Sequence, residues 1–120
     1  MDSETTIKEL KDKIKAFCEE RDWDQYHNAK DLAIGIITEA GELLEHFRFK
    51  SESEIESIMK NSNKKSKLSE ELADIIYFSL RLAQKYDIDI AITLGEKMEK
   101  NSRKYPISKA KGSNKKYTEL

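Results

Sequence analysis

Four acidic residues stand where an amphipathic helix does not place acids. Glu39 follows Ile36 by three residues and Leu32 by seven, and precedes Leu43 by four, which puts it in line with an apolar stripe. Glu42 comes one turn later, about 60° around the helix, so the two carboxylates can project toward one point. The pattern recurs at Glu71, three after Leu68, four before Ile75 and seven before Phe78, with Asp74 three residues on. Were the two helices to pack antiparallel, four carboxylates would meet in a partly desolvated space. Their repulsion would then cost on the order of several kcal/mol, or raise their pKa values, unless cations neutralise them. Ligation by oxygen alone, without cysteine and without the Glu-x-x-His spacing of di-iron bundles, favours Mg²⁺ or Mn²⁺ over zinc or iron. A single pair argues little, because 23 acidic residues in 120 make the spacing common. Two pairs, each interrupting an apolar stripe, argue for a metal site at Glu39, Glu42, Glu71 and Asp74. Glu45 continues the first series and reads either as an exposed partner for Lys or Arg, or as a group that holds water behind the metal.

The elements that must position these acids are helices. Thr6-Ile7-Lys8-Glu9 has the form of a capping box and opens a first helix with Ile7, Leu10, Ile14, Phe17 and Cys18 on one stripe. A loop with Trp23, Tyr26 and His27 follows. Asn28 then caps a second helix reaching about Arg48, with Leu32, Ile36, Ala40, Leu43, Leu44 and Phe47 on its apolar side. Residues 50–67 are mostly Ser, Asn, Lys and Glu and read as a mobile loop containing at most a short amphipathic helix. A further helix is predicted over Leu68 to Tyr86, its wide apolar face including Leu72, Ile75, Ile76 and Phe78. Asp87 or Asp89 caps the last helix, which ends before Pro106. The prediction is an all-α four-helix bundle over residues 1–105 with a polar, basic tail over 106–120. Two helices with wide apolar faces in so short a chain predict a homodimer or homotetramer.

Composition removes several classes of function. Four glycines and one proline are too few for a fold made of strands and tight turns. Lys and Arg number 22 against 23 acids, a formal charge of −1, so no basic field draws the chain to nucleic acid or to an anionic membrane. Cys18 is the only cysteine, which excludes an internal disulfide and a cysteine zinc cluster. No run approaches 18 apolar residues and Met1 to Lys13 is charged throughout, so the expectation is a cytoplasmic protein without signal peptide or membrane span.

With Glu39-Ala40-Gly41-Glu42 and Glu71-Leu72-Ala73-Asp74 in view, the chain resembles the all-α nucleotide pyrophosphohydrolases of the MazG-like superfamily, whose signature is ExxE on one helix and ExxD on the next. Within it the sequence is most similar to the dCTP pyrophosphatases. That likeness is carried by Arg21 to His27, Glu39 to Phe49, Glu70 to Asp74, Asn101 to Pro106 and the ending Lys116-Tyr117-Thr118-Glu119-Leu120. The resemblance implies hydrolysis of a nucleoside triphosphate between its α and β phosphates, with Mg²⁺ held by the four acids, as nucleotide-pool house-cleaning. It also implies phosphate contacts from Lys97, Asn101 and Lys104, which fall at i, i+4 and i+7 on one helix face.

Base recognition is implied for Trp23, which can stack on any base, with Phe49 and Phe78 beside it. Ile14, Phe49 and Phe78 stand where those relatives carry histidine, tryptophan and tyrosine, so stacking is kept while polar base contacts are lost. The substrate reading is therefore dCTP or a related, modified nucleotide. The same chemistry on dUTP or a phosphoribosyl-ATP-like compound, and a non-catalytic helical oligomerisation module, remain as alternatives. His27 and His46 read as surface or packing residues.

Overall fold

The structure, a computed structural model, describes residues 1–120 and contains helices and turns without a strand. Six α-helices follow one another: α1 (Ile7–Glu20), α2 (Ala29–Glu45), α3 (Glu52–Lys60), α4 (Ser62–Lys85), α5 (Ile90–Lys104) and α6 (Ile107–Ala110). Short 3₁₀ turns lie at Asp24–Tyr26 and Tyr117–Glu119. The chain forms two compact units, residues 1–87 and 88–120. None of the helices is long and apolar enough to cross a membrane.

Local chemistry sets the helix starts. The Thr6 hydroxyl accepts from the Glu9 amide at 3.1 Å while the Glu9 carboxylate accepts from the Thr6 amide at 2.9 Å, closing the predicted capping box. Asn28 caps α2 by accepting from the Asp31 amide at 2.8 Å, and Asp89 caps α5 by accepting from the Ile92 amide at 3.0 Å.

Within residues 50–67, α3 is the short amphipathic helix allowed for, but the rest is helical too rather than loop. Ser51 and Glu54 form a second capping box for α3, and Asn61 both ends α3 and caps α4, accepting from the Lys64 amide at 3.0 Å. Thus α4 starts at Ser62, well before the predicted Leu68. The lysines of 62–67 are good helix formers, and Ile58 and Leu68 anchor the segment by burial, so polarity there was solvated helix rather than loop. At its other end α2 stops at Glu45, short of the predicted Arg48.

In the first unit α4 is the central element and packs on α1, α2 and α3. Cys18, Leu32, Ile58, Leu68, Leu80 and Ala83 are buried there. Contact between α2 and α4 is intimate at Gly35, where an added Cβ would lie 2.6 Å from the Phe78 ring. Gly35→Ala is therefore expected to destabilise by about 1–3 kcal/mol through overpacking, read from urea unfolding. A variant as stable as the parent would show that the ring moves aside freely.

The predicted apolar faces are only partly covered. Leu72 and Ile76, expected in the interior, are each 47% exposed, and Ile34, Ile37 and Leu44 of α2 are more exposed still. The neighbours of α2 and α4 within this unit cover only part of each wide apolar face and leave its flanks in water.

In the second unit α5 ends at Lys104, before Pro106 as predicted. Tyr117 folds back on the helix end, its ring edge-on to Tyr105 at a centroid distance of 5.9 Å, with the Lys104 ammonium 4.8 Å over it.

Candidate metal centre

Helices α2 and α4 run antiparallel in contact, because Gly35 meets Phe78 at one end of the seam and His46 meets Glu71 toward the other. The i, i+3 spacing then brings Glu39 and Glu42 of α2 against Glu71 of α4. One oxygen from each lies within 4.8 Å of the others. Asp74, a turn beyond Glu71, stands outside this group of three but adds its charge to the repulsion on Glu39.

Burial divides the four acids in pairs. Glu39 and Glu71 are half-buried, whereas Glu42 and Asp74 are exposed, so the centre sits on the rim of the seam rather than in the interior. The reason is geometric: three residues of helix turn the second acid of each pair about 60° from the first, toward solvent.

Glu39 is the anomalous member. Its Oε2 atom is buried and no donor reaches it. Burial, then Glu42, and next the charge of Asp74, push its pKa up from 4.5 to about 7. Carboxylates facing one another hydrogen-bond only if one holds a proton. Without proton or cation, Glu39 would be a desolvated charge among like charges. The donor set is all oxygen and fits a hard divalent ion, and the unpartnered Glu39 oxygen marks a place for one.

The other expected residues fall into separate groups. Trp23 is 39% exposed, edge-on to Phe17 at 5.7 Å, and Phe17 meets Tyr77 at 6.1 Å. Tyr77 in turn meets Phe78 at 5.0 Å, so an unbroken aromatic run joins Trp23 to Phe78. Phe49 is not part of it: it is 89% exposed at φ +63°, with only the Arg48 guanidinium over its ring at 4.6 Å. Lys97, Asn101 and Lys104 lie exposed on α5 in the second unit. Glu45 pairs with Arg48 at 3.3 Å, the exposed-partner reading.

Sequence reasoning missed Arg81. Its side chain is 1% exposed, and its guanidinium donates to an Asp24 carboxylate oxygen, to His27 Nδ1 at 3.1 Å and to Gln84 Oε1 at 2.5 Å. Lys85 adds a bond to the Asp24 carbonyl at 2.5 Å. The Arg81 hydrogen bond holds the Asp24 carboxyl below its usual range, while burial and then the Arg81 charge lower the His27 pKa. The arginine thus fastens the corner that carries Trp23. Its signal was a charge inside the apolar run Leu80 to Ala83. His46, read as a surface or packing residue, lies with Nε2 3.7 Å from a Glu71 oxygen.

Cys18 is no nucleophile candidate, since it is fully buried with its sulfur 3.2 Å from the Tyr77 hydroxyl.

The chain is similar to known proteins in sequence and in fold. The model of the MazG-like family matches residues 34–120. Human dCTP pyrophosphatase 1 is 33% identical over 117 residues, covering 98% of this chain and 69% of its own. The Bos taurus protein of the same name is 34% identical over 118 residues, covering 98% and 70%. A pyrophosphatase from Archaeoglobus fulgidus DSM 4304, known from a crystal structure, superposes with a TM-score of 0.77 at 37% identity, over 82% of this chain and 91% of that one. In sequence and in helix arrangement alike, the chain belongs to the MazG-like family.

Proposed function

We propose that dCTP, or a related and modified nucleotide, is the substrate of this chain, and that Mg²⁺, with Mn²⁺ as a substitute, is its cofactor. The chain is a nucleoside triphosphate pyrophosphohydrolase. Cleavage between the α and β phosphates yields the monophosphate and pyrophosphate, a reaction suited to clearing unwanted nucleotides from the pool.

The observation that carries this reading is the convergence of three carboxylates within 4.8 Å around the unpartnered Glu39 oxygen. Glu39, Glu42 and Glu71 would hold the ion, with Asp74 at its outer edge. When bound, the ion supplies positive charge for the phosphate oxygens and lowers the pKa of a coordinated water. The aromatic run from Trp23 to Phe78 offers ring faces for the base, and Arg81 holds the Trp23 corner in place. The lysines and asparagine of α5 are proposed as phosphate contacts.

A panel of triphosphates assayed for pyrophosphate release tests the substrate. Greatest turnover of dCTP or a modified cytosine nucleotide is expected, whereas a clear preference for dUTP would move the assignment. Metal dependence is tested by melting. At a hundredfold excess over its dissociation constant, Mg²⁺ should stabilise the protein by about 2.7 kcal/mol, several degrees in a chain of this size. Glu42→Gln combined with Asp74→Asn should remove that shift together with hydrolysis. Retention of both would sink the metal assignment.

The exposed apolar flanks Ile34, Ile37 and Leu44 of α2 and Leu72 and Ile76 of α4 are proposed to be covered by a second copy of the chain. Light scattering on the eluting protein should give the mass of a dimer or tetramer, and a monomer mass at high concentration would refute it.

A further inference from the structure

Beyond the acidic cluster, the α2–α4 seam leads to a cleft of about 220 Å³ lined by His46, Lys50, Ile58, Lys64 and Lys67. No ammonium group of these three lysines is ion-paired: the cations of the unit that pair with a carboxylate are Lys8, Lys15, Arg21, Arg48, Arg81 and Lys85, together with the His46 contact to Glu71. Three cations without an ion-pair partner line one concavity, two of them in the N-terminal turns of α4 whose dipole adds positive potential, and make a place for an anion.

The cleft is built in register with the acids. On α4, Lys64, Lys67 and Glu71 are spaced i, i+3 and i+7, so they share one face, with Lys67 about 6 Å and Lys64 about 10 Å along the axis from Glu71. On α2, Glu39, Glu42 and His46 have the same spacing, and the His46 Nε2 contact with Glu71 at 3.7 Å joins the two zones. In the opposite direction, four residues on from Asp74 and four back from Glu39, lie Phe78 and Gly35, where the aromatic run begins. The seam therefore presents rings, then carboxylates, then ammonium groups.

A nucleoside triphosphate has the same linear order: base, the α–β linkage that is cut, and the terminal diphosphate. With the base at the rings and the scissile linkage at the carboxylates, the diphosphate falls on the side away from the base. We propose that the His46, Lys50, Lys64 and Lys67 cleft binds the diphosphate group, as the β,γ end of the intact substrate or as the pyrophosphate released from it. The proposal rests on the pyrophosphohydrolase reading above. The lysines donate charge-assisted hydrogen bonds to the phosphate oxygens, and the buried Ile58 lines the cleft beside them.

Calorimetric titration of the metal-free protein with inorganic pyrophosphate tests it. Lys64→Gln combined with Lys67→Gln should weaken binding about tenfold, the product of two exposed charge contacts. Lys65→Gln, on the same helix but not in the cleft, should change it less than about twofold while removing an equal charge. Lys50→Gln, outside the helices, provides a second variant that leaves the α4 turns intact. Melting curves equal to the parent's confirm folding of each. Unchanged pyrophosphate affinity in the Lys64 and Lys67 double variant overturns the proposal, as does binding lost only on Lys97→Gln.

Kinetics with the metal-loaded protein separate the two sources. A raised KM at constant kcat in the double variant assigns the cleft to the substrate's own tail. An unchanged KM with weaker inhibition by added pyrophosphate assigns it to the product. If the parent binds pyrophosphate through these lysines but hydrolyses no triphosphate, the cleft stands and the functional reading falls.

Discussion

Glu39→Gln is expected to lower metal-dependent hydrolysis by about 10³-fold and, in the same protein, to raise the melting temperature of the metal-free form by several degrees. The two effects have one cause. In the folded chain a Glu39 oxygen is buried without a donor, beside Glu42 and Glu71, so the charge that would hold a cation is a burden when none is bound. A glutamine keeps the shape, removes the charge and offers an N–H to the neighbouring carboxylates.

The gain should depend on pH in a definite direction. Burial and then Glu42 place the Glu39 pKa at about 7 in the folded protein against an ordinary 4.5. Between those values the folded state holds a proton that the unfolded chain has lost. The contribution of Glu39 is therefore fully present below about 4.5, declines as pH rises toward 7 and is level above it. Melting the metal-free parent and variant side by side should give nearly equal stability at the acid end and a widening advantage for the variant toward neutrality. An advantage that is constant across this range would mean that Glu39 is not the group that titrates. A variant less stable than the parent at neutral pH would mean that its carboxylate has a partner in the folded state.

Arg81→Met is the second large effect. Methionine fills much of the buried volume but makes none of the hydrogen bonds that Arg81 gives to His27, Gln84 and Asp24. A loss of about 3 kcal/mol in urea unfolding is expected, from the lost bonds and imperfect filling together. Arg81→Lys should recover little, because a lysine ammonium cannot span three acceptors in the plane of a guanidinium. Since the arginine fastens the turn next to Trp23, the surviving folded fraction should show a raised KM for nucleotide with kcat less affected. Equal KM in parent and variant would leave Arg81 a purely structural residue. Stability within about 0.5 kcal/mol of the parent would refute the clamp altogether.

Much of the fold was written locally. Thr6 with Glu9, Asn28 and Asp89 mark helix starts through side-chain oxygens meeting backbone amides a turn ahead, a short-range chemistry that needs no knowledge of the rest of the chain. The same kind of signal, Ser51 with Glu54, opens α3, the short helix allowed for in residues 50–67, while the Asn61 cap that starts α4 early was masked by the polarity of the segment. Periodicity likewise placed Glu39 and Glu71 on the inner side of their helices, because an apolar stripe fixes which face turns inward.

Sequence alone thus determined the helical class, the caps of α1, α2 and α5 and the two acidic pairs, all of which depend on residues within a turn or two of each other. Only the tertiary structure decided that Glu39, Glu42 and Glu71 form the tight group while Asp74 stands apart, that Phe49 lies away from the aromatic run, that Arg81 serves distant partners and that Lys50, Lys64 and Lys67 line one cleft. Those relations depend on the register of α4 against α2 and α1, which is set by contacts such as Phe78 on Gly35 between residues far apart in the chain.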